Sequence, residues 1–364
     1  MLLSELTASS RRLALVGLAK NTGKTEALNA LLRELEAAGR HVGVTSVGRD
    51  GEERDVIDFR IHKPRIVLPG GSLVATTDGL LRASGLPHEL LEETNIRTPL
   101  GRVLIARLRG PGTVEVAGPS GAQQVREVAD TMLALGAEQV LIDGAIDRRA
   151  ASSPNVADGL VMSTGAVLAE DIEDVVLQTR DAVELVRLPQ LSPELSERVR
   201  AAQSNGESRD SFFLDDDRAP SMLPPRFVLS SDAEQIAAAL DANPTAGWLV
   251  VAGALPDRFL RHLLHAAHKR RRELTVVVSD TTRVFLSKRG PAWYERQGIR
   301  IEVLNTIDLR AITVNPVAPQ AYKLESRRLR ELLGKALEGV PIFDVMHADY
   351  ASSRRVGDVA IGSV

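Results

Sequence analysis

Apolar residues 13–16 (LALV) form a short run that ends in Gly17, and beyond it the period changes. Ala27, Leu28, Leu31, Leu32, Leu35 and Ala38 recur at steps that put them on one helical face, and Gly39 follows as a stop signal. Residues 41–47 alternate as a second strand. Between 63 and about 117 the pattern is β-like, at 65–68, 72–76, 102–108 and 113–117, with a short helix around 78–93. This stretch reads as a β-rich insertion on an α/β frame. Alternation then resumes, with a helix over 121–135, strands at 139–142 and 159–162, and a helix over 167–186.

Residues 190–225 are polar, carry proline near both ends and include the acidic triplet Asp215, Asp216 and Asp217. They read as a linker with room for one helix. Strand patterns return at 227–229, 248–251, 274–278, 301–304 and 312–314, and helical patterns at 232–241, 256–270 and 322–338. The expected architecture is α/β. A P-loop NTPase-like, mostly parallel sheet (residues 1–189) precedes the linker, and a second α/β unit (226–364) follows it. Cleavage in the linker is then expected to leave two folded pieces. The alternative is one sheet completed by strands from the second half.

Composition narrows the function class. With 364 residues, 44% hydrophobic and 26% charged, the chain can build buried cores and is too long for one average domain. A formal net charge of −3 gives no basic footprint for nucleic acid or membrane. There is no cysteine, which excludes disulfides, thiolate-held metals and thiol chemistry. Glu5 interrupts the first apolar stretch too early for a signal peptide, and no run approaches the roughly 18 apolar residues of a membrane span. A cytoplasmic location is the expectation.

Lysine is scarce, at positions 20, 24, 63, 269, 288, 323 and 335, so the pair in the first loop stands out. Residues 17–25 (GLAKNTGKT) lie between an expected strand and an expected helix, the context of a phosphate-binding loop. Its backbone N–H groups, around Gly17, Asn21, Thr22 and Gly23, and the helix dipole would cradle a β-phosphate. Lys24 would neutralise β/γ oxygens, and the Thr25 hydroxyl would complete a Mg²⁺ shell on bound ATP. Leu18 occupies the first glycine of the strict pattern, and the longer Gly17 to Gly23 spacing resembles dethiobiotin synthetase and relatives in the MinD-like branch of P-loop proteins. Lys20 has two readings, a second nucleotide-contacting lysine or a solvated loop lysine.

Such a site also needs carboxylates for metal and water. Asp50 follows the second strand, and Asp143 ends the strand pattern at 139–143, which has the look of a Walker B strand. Each is either a metal ligand with a catalytic role or a turn aspartate before glycine. Asp147 and Arg148 fall where a switch loop would lie; Arg148 and Arg149 are candidate charge stabilisers, though arginine is too abundant to single either out. His262, His265 and His268 share a helix; steps of three drift around it, so all three cannot converge well on one metal, whereas a pair could. The cationic run 268–272 suits a solvated helix end. Asn305 and Asn315 follow apolar strands, as base readers or as turn residues.

Segments 17–25 (GLAKNTGKT), 45–52 (TSVGRDGE), 63–67 (KPRIV), 73–76 (LVAT), 98–107 (TPLGRVLIAR), 114–119 (VEVAGP), 142–154 (IDGAIDRRAASSP), 163–167 (STGAV) and 313–316 (TVNP) resemble, in this order, a bacterial family. That family is similar to the small subunit of the lysine 5,6-aminomutase reactivase, found with aminomutases of lysine fermentation. The likeness is strong over 1–187 and looser afterwards. It implies a nucleotide-dependent protein that works with a larger MutS-like ATPase subunit to release damaged cobalamin from an adenosylcobalamin-dependent aminomutase. The chain lacks the D-x-H-x-x-G pattern of base-off cobalamin domains; residues 344–347 (DVMH) have the wrong spacing. Cobalamin is therefore expected on the partner. Two other functions fit the same loop: a small-molecule ligase or kinase like dethiobiotin synthetase, and a nucleotide-gated binding module without turnover.

Overall fold

The computed structural model describes residues 2–48, 65–145, 149–204, 210–216, 218–287 and 289–345. The chain divides into two compact units, Met1–Arg180 with Ile307–Val364, and Asp181–Thr306.

The first unit is built on a nine-stranded sheet. Its strands are β1 (Arg12–Gly17), β2 (Val42–Ser46), β3 (Leu73–Thr77), β4 (His88–Thr98), β5 (Gly101–Leu108), β6 (Gln139–Ala145), β7 (Gly159–Gly165), β8 (Asp308–Asn315) and β9 (Ile342–Phe343). Their spatial order is β9-β8-β7-β1-β6-β2-β3-β5-β4. From β9 through β3 all neighbours are parallel, and β5 runs antiparallel to both β3 and β4. The central strands are buried on both faces, which is why they read as apolar runs rather than alternating patterns. Helix α1 (Lys24–Ala37) crosses from β1 to β2, and Leu28, Leu31, Leu32 and Leu35 pack with Leu13 and Leu15 of β1 in one core. Helix α2 (Ala122–Ala134) precedes β6, and helix α3 (Ile172–Val186) follows β7 and carries the chain toward the second unit.

Two expectations change here. Among the described residues of the β-rich stretch (65–117), most continue the main sheet, because β3, β5 and β4 extend it to one edge, and Val67–Leu68 and Gly112–Thr113 pair separately. The helix expected around 78–93 ends at Ala83, before Pro87, and His88–Thr98 is a strand. That strand is an edge, studded with exposed Glu89, Glu92 and Glu93, and so shows no dry face for a pattern to reveal.

The second unit also departs from expectation. It begins before the supposed linker and ends before β8, so the 1–189 and 226–364 boundaries differ from the observed units. Residues 190–225 hold the one helix the linker reading allowed, Pro193–Ser204, and strands it did not, Phe212–Leu214 and Ser221–Met222. Phe212 is fully buried, a core anchor hidden in a three-residue strand among polar neighbours. Residues 227–230 form a short helix rather than a strand. The sheet runs Ser221–Met222, Phe212–Leu214, Trp248–Val251, Leu274–Val278, Ile299–Val303; the last three are parallel and the first two antiparallel additions. Helix Asp257–Lys269 buries Phe259, Leu260 and Leu263 against Leu249, Val276 and Val278. Tyr294, fully buried, donates to Asp257 Oδ1 at 2.7 Å; burial first, and the carboxylate second, hold its hydroxyl pKa far above the usual value.

The two chain connections of this unit run side by side. Val303 N–H donates to Pro189 O (2.9 Å) and Leu191 N–H donates to Val303 O (2.8 Å), a parallel bridge at Gln190. Among the described residues no helix is long and apolar enough to cross a membrane.

Candidate phosphate-binding site

The loop 18–23 leaves the carboxyl end of β1, near the middle of the parallel sheet, and feeds α1 at Lys24. In parallel α/β sheets this edge is where ligands gather, because strand ends and helix N-termini converge there. The first N–H groups of a 14-residue helix have no partner within it. Together with the helix dipole they favour an anion.

The loop is held tightly. Leu18 N–H donates to Ser163 O of β7 at 2.9 Å. Thr22 is buried and its hydroxyl donates to Ala19 O at 3.0 Å, closing the loop on itself. Asn21 (φ 65°) and Gly23 (φ 83°) both adopt left-handed backbone conformations. A Cβ on Gly17 would lie 2.4 Å from Thr22 Oγ1, and one on Gly23 would lie 2.9 Å from Asn315 Cβ. Glycine is required at 17 by close approach and at 23 by both approach and φ. Gly23→Ala is accordingly expected to destabilise the fold by about 1–2 kcal/mol and to weaken anion binding. Chemical denaturation and a phosphate-ligand titration read the two effects.

Opposite the loop stands the end of β6. Asp143 pairs in register with Leu15 of β1 and Ser46 of β2, so its side chain shares the sheet face that α1 covers. There Lys24 Nζ meets Asp143 Oδ1 at 2.9 Å, with the side chains only 11% and 5% exposed. A near-buried pair of this kind balances two desolvation costs, and loss of either partner takes an opposite charge 2.9 Å away from the other. Thr25, half-buried, is the second residue of α1. Lys20 and Asn21 are exposed on the loop.

Of the residues expected to form the site, Gly17, Lys20, Asn21, Thr22, Gly23, Lys24 and Thr25 share one loop and helix start, and Asp143 joins Lys24. Asp50 lies outside the described residues, as do Asp147 and Arg148. Around the same strand ends are groups the sequence did not single out. Ser46 Oγ lies 2.7 Å from Gly48 O and accepts from Gly118 N–H at 3.1 Å, fixing the chain as it leaves β2. Ser163 Oγ and Thr313 Oγ1 bond at 2.8 Å between β7 and β8. The sequence signal, had it been used, was hydroxyl residues at the carboxyl ends of apolar strands.

Several of the weaker candidates make structural contacts. His268 Nε2 bonds Gln297 O at 2.8 Å, and among the described residues no group of three or more His, Asp or Glu could hold a metal. Arg270 pairs with Asp241, and Arg272 donates to Leu240 O (3.1 Å) and Asn243 O (2.9 Å), so these cations cap the neighbouring helix Ala233–Ala242. Asn305 donates from Nδ2 to Ser279 O at 3.2 Å, a turn role. Asn315 instead reaches the loop, donating from Nδ2 to Asn21 O at 3.0 Å.

No family model, curated protein or solved structure matches this chain.

Proposed function

We propose that this protein binds Mg·ATP through the 17–25 loop of a P-loop NTPase-like unit and uses the bound state to act on a partner. The meeting of Lys24 and Asp143 at 2.9 Å, on the rim of a parallel sheet and at the start of a long helix, carries this reading. A near-buried ion pair stabilises little at such cost; a pair that a ligand can split has a use.

A metal–triphosphate offers each partner a replacement. Lys24 would turn from Asp143 to β/γ oxygens, the N–H groups after Gly23 would take the phosphate edge, and Asp143 would be open to the metal or its water. Thr25 and Asp143 are the residues that would hold Mg²⁺, with Asp50 as a further candidate ligand. The donor set fits: Mg²⁺ takes one or two carboxylates plus substrate phosphates and needs no all-protein cage. When bound, the metal would supply charge neutralisation at the phosphate oxygens. Asp143 would then orient the attacking water or the metal shell, a role for an ATPase that turns over with a partner subunit.

The finer reading rests on the resemblance. The chain would be the small subunit of a reactivase for an adenosylcobalamin-dependent aminomutase, working beside a MutS-like large ATPase subunit in the cytoplasm. Nucleotide state would bias one of two conformations, and release of damaged cobalamin would follow from that bias. The test is co-purification with the large subunit and the mutase, with and without ATP, together with ATP turnover. ATP-dependent capture and turnover raised by the mutase support the reading. Turnover raised by a small acid or amine, with no capture, overturns it in favour of a ligase or kinase.

A further inference from the structure

The strand β8 is the first element of the nine-stranded sheet after the inserted unit, and its last residue touches the phosphate loop. Asn315 donates from Nδ2 to Asn21 O at 3.0 Å, while its Oδ1 accepts from Val317 N–H at 3.1 Å. Both ends of the amide are thus used, and their donor–acceptor sense fixes the amide orientation. Its Cβ lies against Gly23, at the place where any side chain on that glycine would intrude.

The residue it grips has an unusual backbone. Asn21 is left-handed at φ 65°, as is Gly23 at φ 83°. A non-glycine residue in that region costs energy and persists only when its surroundings hold it. Thr22 holds the loop from within by bonding Ala19 O, and Asn315 holds it from outside. Tying down the Asn21 carbonyl sets the peptide plane that runs into Thr22, and so the direction of the next N–H groups toward the loop's concave side.

We infer that Asn315 is a positioning residue for the phosphate loop: its amide fixes the Asn21 carbonyl so that the loop is preformed for a polyphosphate, whatever the base attached. This inference rests on the phosphate-loop reading above and adds to it a part contributed by the far end of the chain. Pre-forming the loop removes an ordering cost from binding. The contact is to the loop backbone, so its effect should follow the phosphates and not the nucleoside.

The experiment uses the full chain with two variants, Asn315→Ala and Asn315→Ser, and two probes, Mg·ATP and Mg·tripolyphosphate, by calorimetric titration. Serine keeps a short acceptor for the Val317 N–H turn bond but cannot span the distance to Asn21 O. Both variants are expected to bind both probes about tenfold more weakly, with the unliganded melting temperature within a few degrees of the wild type. Wild-type affinity in Asn315→Ser with loss in Asn315→Ala overturns the inference, because the turn alone then matters. Loss for Mg·ATP but not for Mg·tripolyphosphate also overturns it, and assigns Asn315 to the nucleoside. Unchanged affinity in both variants makes the contact idle. If the wild type binds neither probe, the phosphate-loop reading itself falls and takes the inference with it.

Discussion

Lys24→Ala is expected to weaken Mg·ATP binding about a hundredfold and to make the fold less stable. The first effect follows from removing the ammonium that would meet β/γ oxygens. A hydrogen bond to a charged group contributes up to a few kcal/mol, so affinity should drop about a hundredfold. The second effect follows from Asp143, whose side chain is 5% exposed and would lose the ammonium 2.9 Å away. Breaking such a pair costs about 3 kcal/mol. The double variant Lys24→Ala with Asp143→Asn separates the two: neutral asparagine should recover most of the stability and none of the affinity. Urea unfolding and calorimetric titration measure them. A folded Lys24→Ala chain with wild-type affinity would remove the site from the account.

Truncation and excision should have opposite results. A fragment ending near residue 189 lacks β8 and β9, and so leaves β7 as a raw parallel edge. Val161 and Met162 of β7 pair in register with Ala311 and Ile312 of β8, all buried. The fragment is expected to aggregate and to lose Mg·ATP binding, since an apolar edge strand seeks another partner. Removing 191–302 and joining 190 to 303 through a short glycine linker is expected to keep a soluble unit that binds. The isolated parallel bridge between Gln190 and Val303 places the two cut ends side by side, about 5 Å apart. Size-exclusion chromatography and nucleotide titration of the two chains decide the matter. A soluble, binding-competent 1–189 fragment would show that β8 is dispensable.

The parts of the fold that sequence could carry were those with a strong local period. The 12–46 strand–loop–helix–strand module is visible because α1 repeats leucine and alanine on one face, and β1 is a clean apolar run. The helices at 122–134 and 257–269 were visible for the same reason. What failed was non-local. Nothing in 308–315 distinguishes a strand of the second unit from one that returns to the first sheet, because pairing partners are not written in a strand's own composition. Likewise Phe212–Leu214 is too short to have a period, and His88–Thr98 is too exposed to have a dry face.

The site divides along the same line. Residues 17–25 and Asp143 were legible as a loop motif and as an aspartate after an apolar strand. Their encounter depends on β6 lying next to β1, which only the sheet order supplies. The hold of Asn315 on Asn21 joins residues almost three hundred positions apart and has no sequence signature beyond an asparagine after a strand.

The most direct measurement is an equilibrium titration of the purified full chain with ATP, with and without Mg²⁺, against Mg²⁺ alone. With Lys24 seated on Asp143, the metal alone meets a neutralised carboxylate and ATP alone gives that carboxylate no counter-charge. The account therefore predicts saturable binding of Mg·ATP, at least about tenfold weaker binding of ATP without metal, and no saturable binding of Mg²⁺ by itself. Absence of Mg·ATP binding in a folded chain would contradict it.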